Sequence, residues 1–475
     1  MKKFKFLAFL LSMSFLSMAQ QNANLAYDKY FTGKTMRIDY FHTGTAAEEH
    51  FSVDRILNDG EWAGSKTELI DGLNRGLYFF KISDTTTGEL LYSRGFASVF
   101  GEWQTIPEAF MNWGTFHESL RFPWPRIPVM LTIEKRDVKN NFMPVWSMII
   151  DPEARIVNPS VLKSGFKTFS YIENGLAANH VDIVILGDGY TASEMGKFHQ
   201  DVATLTDELF SVEPFSSRKA DFNVRAVETP SETSGVNKPH PGVFNRTPLS
   251  MSYGAFDSER YALSYDNRTI RDVAASVPYD YMFILINERT YGGGGIFNLY
   301  STVAADNKFS RYIFVHEFGH SFAALADEYY TSDVSYQSQE ITVEPWEPNV
   351  TALLDPVNLK WKSLVKPGTP VPTPWSKTEF DNFSYGIQKE RRALRAAKVP
   401  EAEMENLFER EKKTSLEMFE KNKYAQTTGA FEGGNYFQYG IYRSALDCIM
   451  FTRNKQAFCP ACSKAISEVI DMYSR

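Results

Sequence analysis

Residues 316–330 read HEFGHSFAALADEYY and place His316, Glu317 and His320 in the order H-E-x-x-H. On a helix, positions i and i+4 share one face. Two imidazoles so placed can bind one zinc ion, and the carboxylate beside them can reach the water that zinc activates. Glu317 is then the candidate general base, taking a proton from that water and passing it to a leaving amine. The plain alternative is a core helix with two hydrogen-bonded histidines. Histidine is scarce, with 8 in 475 residues, so abundance does not explain the spacing.

Catalytic zinc takes three protein ligands and keeps one open position. No histidine follows His320. The third ligand is therefore expected to be a carboxylate, unless a cysteine or one of His42, His50, His117, His180, His199 and His240 folds back. Asp327 is the leading candidate and Glu328 the neighbouring one. On a continuous helix, Asp327 would lie about 10 Å along the axis from His320, too far for one ion. The helix must end near residues 324–326 and turn back. Glycine is the usual residue for such a turn, yet none lies between His320 and Asp327. For the oxyanion of a tetrahedral intermediate, Tyr442 in Gly440-Ile-Tyr-Arg443 is a candidate donor, with a packed aromatic as the plain alternative. Met450, in Asp447-Cys-Ile-Met450, is a candidate floor beneath the histidines, although methionine fills many cores.

The elements that must hold these residues fall into two patterns. Residues 20–157 read as an all-β domain. Short alternating runs such as Met36–Phe41, Gly76–Ile82 and Val129–Ile133 are separated by turn signals at Asn58-Asp-Gly60 and Asp84-Thr, which suggests a β-sandwich. Asp151-Pro152 and Asn158-Pro159 mark the linker. From residue 165 to 475 the pattern is α/β. Val181–Leu186 and Tyr279–Ile286 read as buried strands, and Ala192–Leu209 as a helix. The Gly187-Asp-Gly189 turn lacks the third glycine of a dinucleotide loop, and Gly292–Gly295 lacks the Lys-Ser/Thr of a P-loop. The side-chain-free backbone of the latter could lie close to an extended substrate. Residues 388–424, rich in Lys, Glu, Arg, Ala and Leu, read as a charged, solvated helical insertion.

The chain opens MKKFKFLAFLLSMSFLSMAQQ, with basic Lys2, Lys3 and Lys5, an apolar run, and a small-x-small site ending at Ala19. Residues 1–19 read as a signal peptide, too short to span a membrane. The protein is expected to be exported, to the periplasm, cell surface or medium. Formal net charge is -8, and loss of the three lysines carries it to about -11, which argues against nucleic acid or an anionic membrane as partner. Aromatics, at 15%, suit a β-rich fold. Only Cys448, Cys459 and Cys462 are present. Export permits a disulfide, and an odd count leaves one thiol over. A closed zinc site wants four ligands, so the pattern favours one disulfide over a metal.

Together these segments resemble the IgA-peptidase family of zinc metallopeptidases, metallopeptidase family sixty-four. The matching stretches are 316–330, VDIVILGDGYT at 181–191 and CIMFTRNKQAFCPAC at 448–462. In the N-terminal part they are WAGS at 62–65, RGFASVFGEWQTIPEAF at 94–110 and FHESLRFPWP at 116–125. The resemblance implies a multidomain α+β protein, with an N-terminal β-sandwich before a zincin-like, metzincin-related α/β catalytic domain. It implies a secreted zinc endopeptidase acting on protein or peptide, a host glycoprotein among the candidates. His316, His320 and Asp327 would be ligands and Glu317 catalytic. Two other classes stay open: an enzyme-derived glycan- or protein-binding protein with a structural metal, and a zinc amidase with a non-protein substrate.

Overall fold

The computed structural model describes residues 27–161, 165–332, 341–454 and 457–474. The signal-peptide reading of residues 1–19 lies outside the described residues. Helix α1 (Tyr27–Tyr30) leads into eight strands: β1 (Phe31–Gly44), β2 (Glu49–Glu61), β3 (Tyr78–Asp84), β4 (Leu90–Phe96), β5 (Gly114–Pro125), β6 (Val129–Arg136), β7 (Phe142–Ile150) and β8 (Val157–Val161), with helix α2 (Val99–Trp103) between β4 and β5. They form two sheets, ordered β5-β1-β2-β8 and β4-β3-β6-β7. Alternate residues of both, among them Ile38, Tyr40, Phe80, Ile82, Phe122 and Leu131, enter one shared core. This period-two alternation is what a sandwich requires.

Two sequence signals behave differently from expectation. Asn58-Asp-Gly60 is no turn. It lies inside β2, where the register against β1 slips between Lys34 and Met36. This bulge lets Asp59 pair with Arg37 and Arg121, at 2.5 and 2.7 Å. Asn158-Pro159 is not a linker but part of β8, which runs parallel to β2 at the sheet edge, where proline is tolerated.

The second region carries β9 (Thr168–Ile172), β10 (Val181–Asp188), β11 (Phe222–Val227), the two-residue strands β12 (Ser252–Tyr253) and β13 (Ala262–Leu263), β14 (Tyr281–Ile286), β15 (Gly293–Ile296) and β16 (Tyr300–Ala304). Six of them form a mixed sheet ordered β15-β16-β14-β10-β11-β9. The strands inside it are parallel, and the outer β15 and β9 antiparallel. Val181, Ile183 and Ile185 face helices α3 (Met195–Leu209), α5 (Ser310–Ala323) and α8 (Pro460–Tyr473), whereas Val184 and Leu186 face α4 (Asn267–Ala274). Burial on both faces explains the unbroken apolar runs in the sequence.

After α5 come β17 (Val350–Thr351), helices α6 (Lys377–Ala396) and α7 (Glu401–Glu420), then the hairpin β18 (Phe431–Gly434) and β19 (Phe437–Arg443), which joins β17 in a small sheet. The helical pair begins at Lys377, ahead of the charged run. The sandwich is tied to the second region by Arg55–Asp272 of α4, at 2.7 Å, and by Arg121 donating to Tyr279 O, just before β14, at 2.8 Å. No helix among the described residues is long and apolar enough to cross a membrane.

Candidate metal centre

Helix α5 is almost entirely buried. Phe314 stacks on Phe283 of β14 with centroids 3.9 Å apart, and Phe318 and Phe322 pack on Tyr281. Burial of each such ring contributes about 1.5–3 kcal/mol. The opposite face carries His316, Glu317 and His320.

Strand β15 lies against this helix, and its glycines are the reason it can. A Cβ on Gly295 would sit 2.4 Å from Glu317 O and 3.0 Å from the His320 Cβ; one on Gly293 would sit 2.7 Å from Ile313. A Cβ on Gly294 would strike Tyr261 at 2.4 Å on the other side. The glycine run therefore serves strand-to-helix packing, and its outer edge is bridged at Gly293 by Arg260 and Tyr261.

The helix stops at Ala323 because Ala324 takes the left-handed conformation, φ 56° and ψ 36°. Ala324 N–H donates to His320 O, and Leu325 N–H to Gly319 O at 3.2 Å. This is a left-handed αL cap with alanine where glycine is usual, which answers the missing glycine of the sequence. The chain reverses, and Asp327 returns to the histidines. Its Oδ1 stands 3.1 Å from His316 Nε2 and 3.2 Å from His320 Nε2, and the two Nε2 atoms are 3.1 Å apart.

Both imidazoles are held by their other nitrogen. His316 Nδ1 lies 2.9 Å from Ile449 O, and His320 Nδ1 2.6 Å from Leu325 O. A carbonyl only accepts, so each Nδ1 carries a hydrogen, and each Nε2, once any proton there is displaced, can turn a lone pair inward. Asp327 Oδ1, also buried, makes no hydrogen bond among the described residues. Three electron-rich atoms thus converge on one point, which a cation relieves. Three donors around a tetrahedral zinc ion at about 2.0–2.2 Å stand about 3.3–3.5 Å apart, close to the triangle found here. The residues fit the metal.

The electrostatics agree. Burial pushes the Asp327 carboxyl up, but His320 and His316 outweigh it and hold it well below the usual carboxylate range. Burial pulls His320 down, and Asp327 overrides it, pushing His320 up to about 9. A metal entering at neutral pH therefore displaces a proton. Burial raises the Glu317 carboxyl, opposed by the two histidines, the direction that suits a base working near neutrality.

Asp327 is braced from behind. Tyr436 OH donates to its Oδ2, and Asn435 N–H to its carbonyl at 2.8 Å. Asn435 and Tyr436 form the β18–β19 turn, both with positive φ, 47° and 65°. That is the pairing a two-residue hairpin turn of the right twist demands. An aromatic residue rarely adopts it. Met450 sits in the tight turn after Cys448, its sulfur against Gly319, where a Cβ would come within 2.9 Å. Its carbonyl accepts from Glu328 N–H at 2.8 Å.

The cleft onto His316 and Glu317 is lined by Arg260, Tyr291, Tyr312, Tyr329 and Arg453. Helices α6 and α7 form one wall through Ser384, Gln388 and Ser415, so the charged pair is more than a solvated surface. Tyr442 does not line the cleft. Strand alternation buries Ile441 and Arg443 and turns Tyr442 to the other face. Arg260 and Tyr329 line the cleft instead, Arg260 Nη2 lying 3.2 Å from Tyr329 OH. Glu328, the alternative third ligand, points away, toward the cysteines. Other histidines are engaged elsewhere, His42 with Glu49 and Glu118, and His199 with Glu228. Asp188 of the Gly187-Asp-Gly189 turn is buried and accepts from Thr247 Oγ1, Leu249 N–H and Met251 N–H, pinning a loop.

A mixed sheet backing a helix whose two histidines meet a returning aspartate, with a glutamate beside them at a cleft, has the build of a metallopeptidase. The family model described as IgA Peptidase M64 matches residues 170–470, and the one described as Peptidase M64 N-terminus matches residues 26–147. The first spans more than half of the chain, which belongs to the IgA peptidase M64 family. No curated protein matches the chain.

Proposed function

We propose that the chain is a secreted, zinc-dependent endopeptidase of zincin-like build, with His316, His320 and Asp327 as ligands and Glu317 as general base. The observation that carries this reading is the convergence of two Nε2 atoms and a carboxylate oxygen that has no hydrogen bond among the described residues, at 3.1–3.2 Å, beside Glu317 at the cleft. Zinc held there would supply Lewis acidity to the attacking water and the scissile carbonyl.

The remaining work falls to the chain. Glu317 takes the proton of the attacking water on its carboxylate and delivers it to the departing amine nitrogen. Arg260 and Tyr329 donate to the charge that develops on the carbonyl oxygen. The α6–α7 wall and the helix α5 face leave a groove for an extended protein or peptide segment. Export is part of the proposal and rests on the basic and apolar leader. A binding protein with a merely structural metal has no use for the Glu317 carboxylate. In a test on unfolded casein, chelation abolishes cleavage and zinc restores it, and Asp327→Asn sharply lowers zinc occupancy. Cleavage indifferent to chelation, or full zinc occupancy in Asp327→Asn, overturns the proposal.

A further inference from the structure

The three cysteines converge on one another and on Glu328. All three are free thiols. Cys448 Sγ and Cys462 Sγ are 3.8 Å apart, far beyond the roughly 2.05 Å of a disulfide, so the bridge favoured by the cysteine count does not form. Glu328 Oε1 stands 3.5 Å from Cys462 Sγ and 3.9 Å from Cys459 Sγ. The four donor atoms lie within 4.8 Å of one another, and all four residues are buried. This group supplies the fourth ligand that the cysteines alone lack.

We infer that Cys448, Cys459, Cys462 and Glu328 hold a second metal ion, zinc by ligand chemistry, in a closed structural site. Around tetrahedral zinc, sulfurs at about 2.3 Å stand about 3.8 Å apart, and a sulfur and a carboxylate oxygen about 3.6 Å apart. The separations of 3.8, 3.5 and 3.9 Å lie within about 0.3 Å of these values. The sulfurs also accept hydrogen bonds as thiolate ligands do. Cys459 N–H donates to Cys448 Sγ at 3.3 Å, and Cys462 N–H to Cys459 Sγ at 3.5 Å. Cys459 caps helix α8, so Cys459-Pro-Ala-Cys462 presents two sulfurs from one turn. Asn349 orients the carboxylate, Nδ2 donating to Glu328 Oε1 at 3.0 Å, while Glu328 Oε2 is buried without a hydrogen bond among the described residues. With four protein ligands, no position is open for water, so the site is not catalytic.

Its place in the chain gives it a task. Glu328 follows Asp327, and Cys448 precedes Ile449, whose carbonyl holds His316. The second ion would clamp both segments that shape the first centre. The inference stands whether or not that first centre cleaves peptides.

The test compares full-length wild type, the His316→Ala/His320→Ala double variant and Cys462→Ser, each by zinc per chain and, after cobalt replacement, by absorption. Wild type is expected to hold two ions per chain and the double-histidine variant one. Both cobalt forms should show the thiolate-to-cobalt charge-transfer band in the near ultraviolet. Cys462→Ser should lose that band; if it fails to fold, the wild type and double-histidine variant decide alone. A double-histidine variant without metal, a cobalt protein without the band, or a chain two hydrogens lighter by intact mass, as a disulfide requires, would each overturn the inference.

Discussion

Replacing Tyr436 by phenylalanine deletes one hydroxyl and leaves the backbone turn, the ring and the packing in place. That hydroxyl donates to Asp327 Oδ2, the carboxylate oxygen facing away from the histidines. The bond fixes the rotation that presents Oδ1 to both Nε2 atoms. A buried hydrogen bond to a charged acceptor contributes about 1.5–3 kcal/mol. At about 1.4 kcal/mol per factor of ten, its loss weakens metal binding by about 10- to 100-fold, the range found for groups that orient metal ligands. The assay is zinc competition against a chromogenic chelator, with cleavage then measured at saturating zinc. Affinity should fall while the rate at saturation recovers most of its value. Zinc affinity within about threefold of wild type would show that Asp327 needs no brace, and would refute the reasoning.

Two substitutions probe the positioning of the helix. Gly295→Ala drives a methyl to within 2.4 Å of Glu317 O, so strand and helix must part. Denaturant titration should show a loss of about 1–3 kcal/mol, with a larger loss of cleavage, and unchanged values would contradict the packing argument. Ala324→Gly removes a left-handed strain of about 1–2 kcal/mol but loses a buried methyl and frees the unfolded chain, by amounts that together nearly cancel it. Stability within about 1 kcal/mol of wild type and full zinc occupancy are expected, whereas Ala324→Val, β-branched at positive φ, should lose both stability and zinc.

The sequence made His316, Glu317 and His320 legible because helical spacing alone puts them on one face. Asp327 was reachable because no histidine follows His320. The turn that returns it was not, since alanine gives no sign of a left-handed cap. Tyr442 is turned from the cleft by the alternation along β19, which its aromatic type alone does not reveal. For Tyr436 the sequence does carry a signal: Gly433-Gly-Asn-Tyr436 between two alternating runs marks a hairpin turn. The fourth partner of the cysteines had none, because Glu328 is more than a hundred residues away and only the fold joins them. In the sandwich, Asn58-Asp-Gly60 looked like a turn because a bulge uses the same residues.

Zinc content and hydrolysis of an unfolded protein, measured side by side for wild type and Glu317→Gln, decide whether this centre is a peptidase. Glu317 makes no metal contact in the arrangement proposed, so zinc content should be equal, while the rate should fall by about 10²- to 10⁴-fold with the proton-transfer group gone. Undiminished cleavage in Glu317→Gln, or a fully zinc-loaded wild type that cuts nothing, would contradict it.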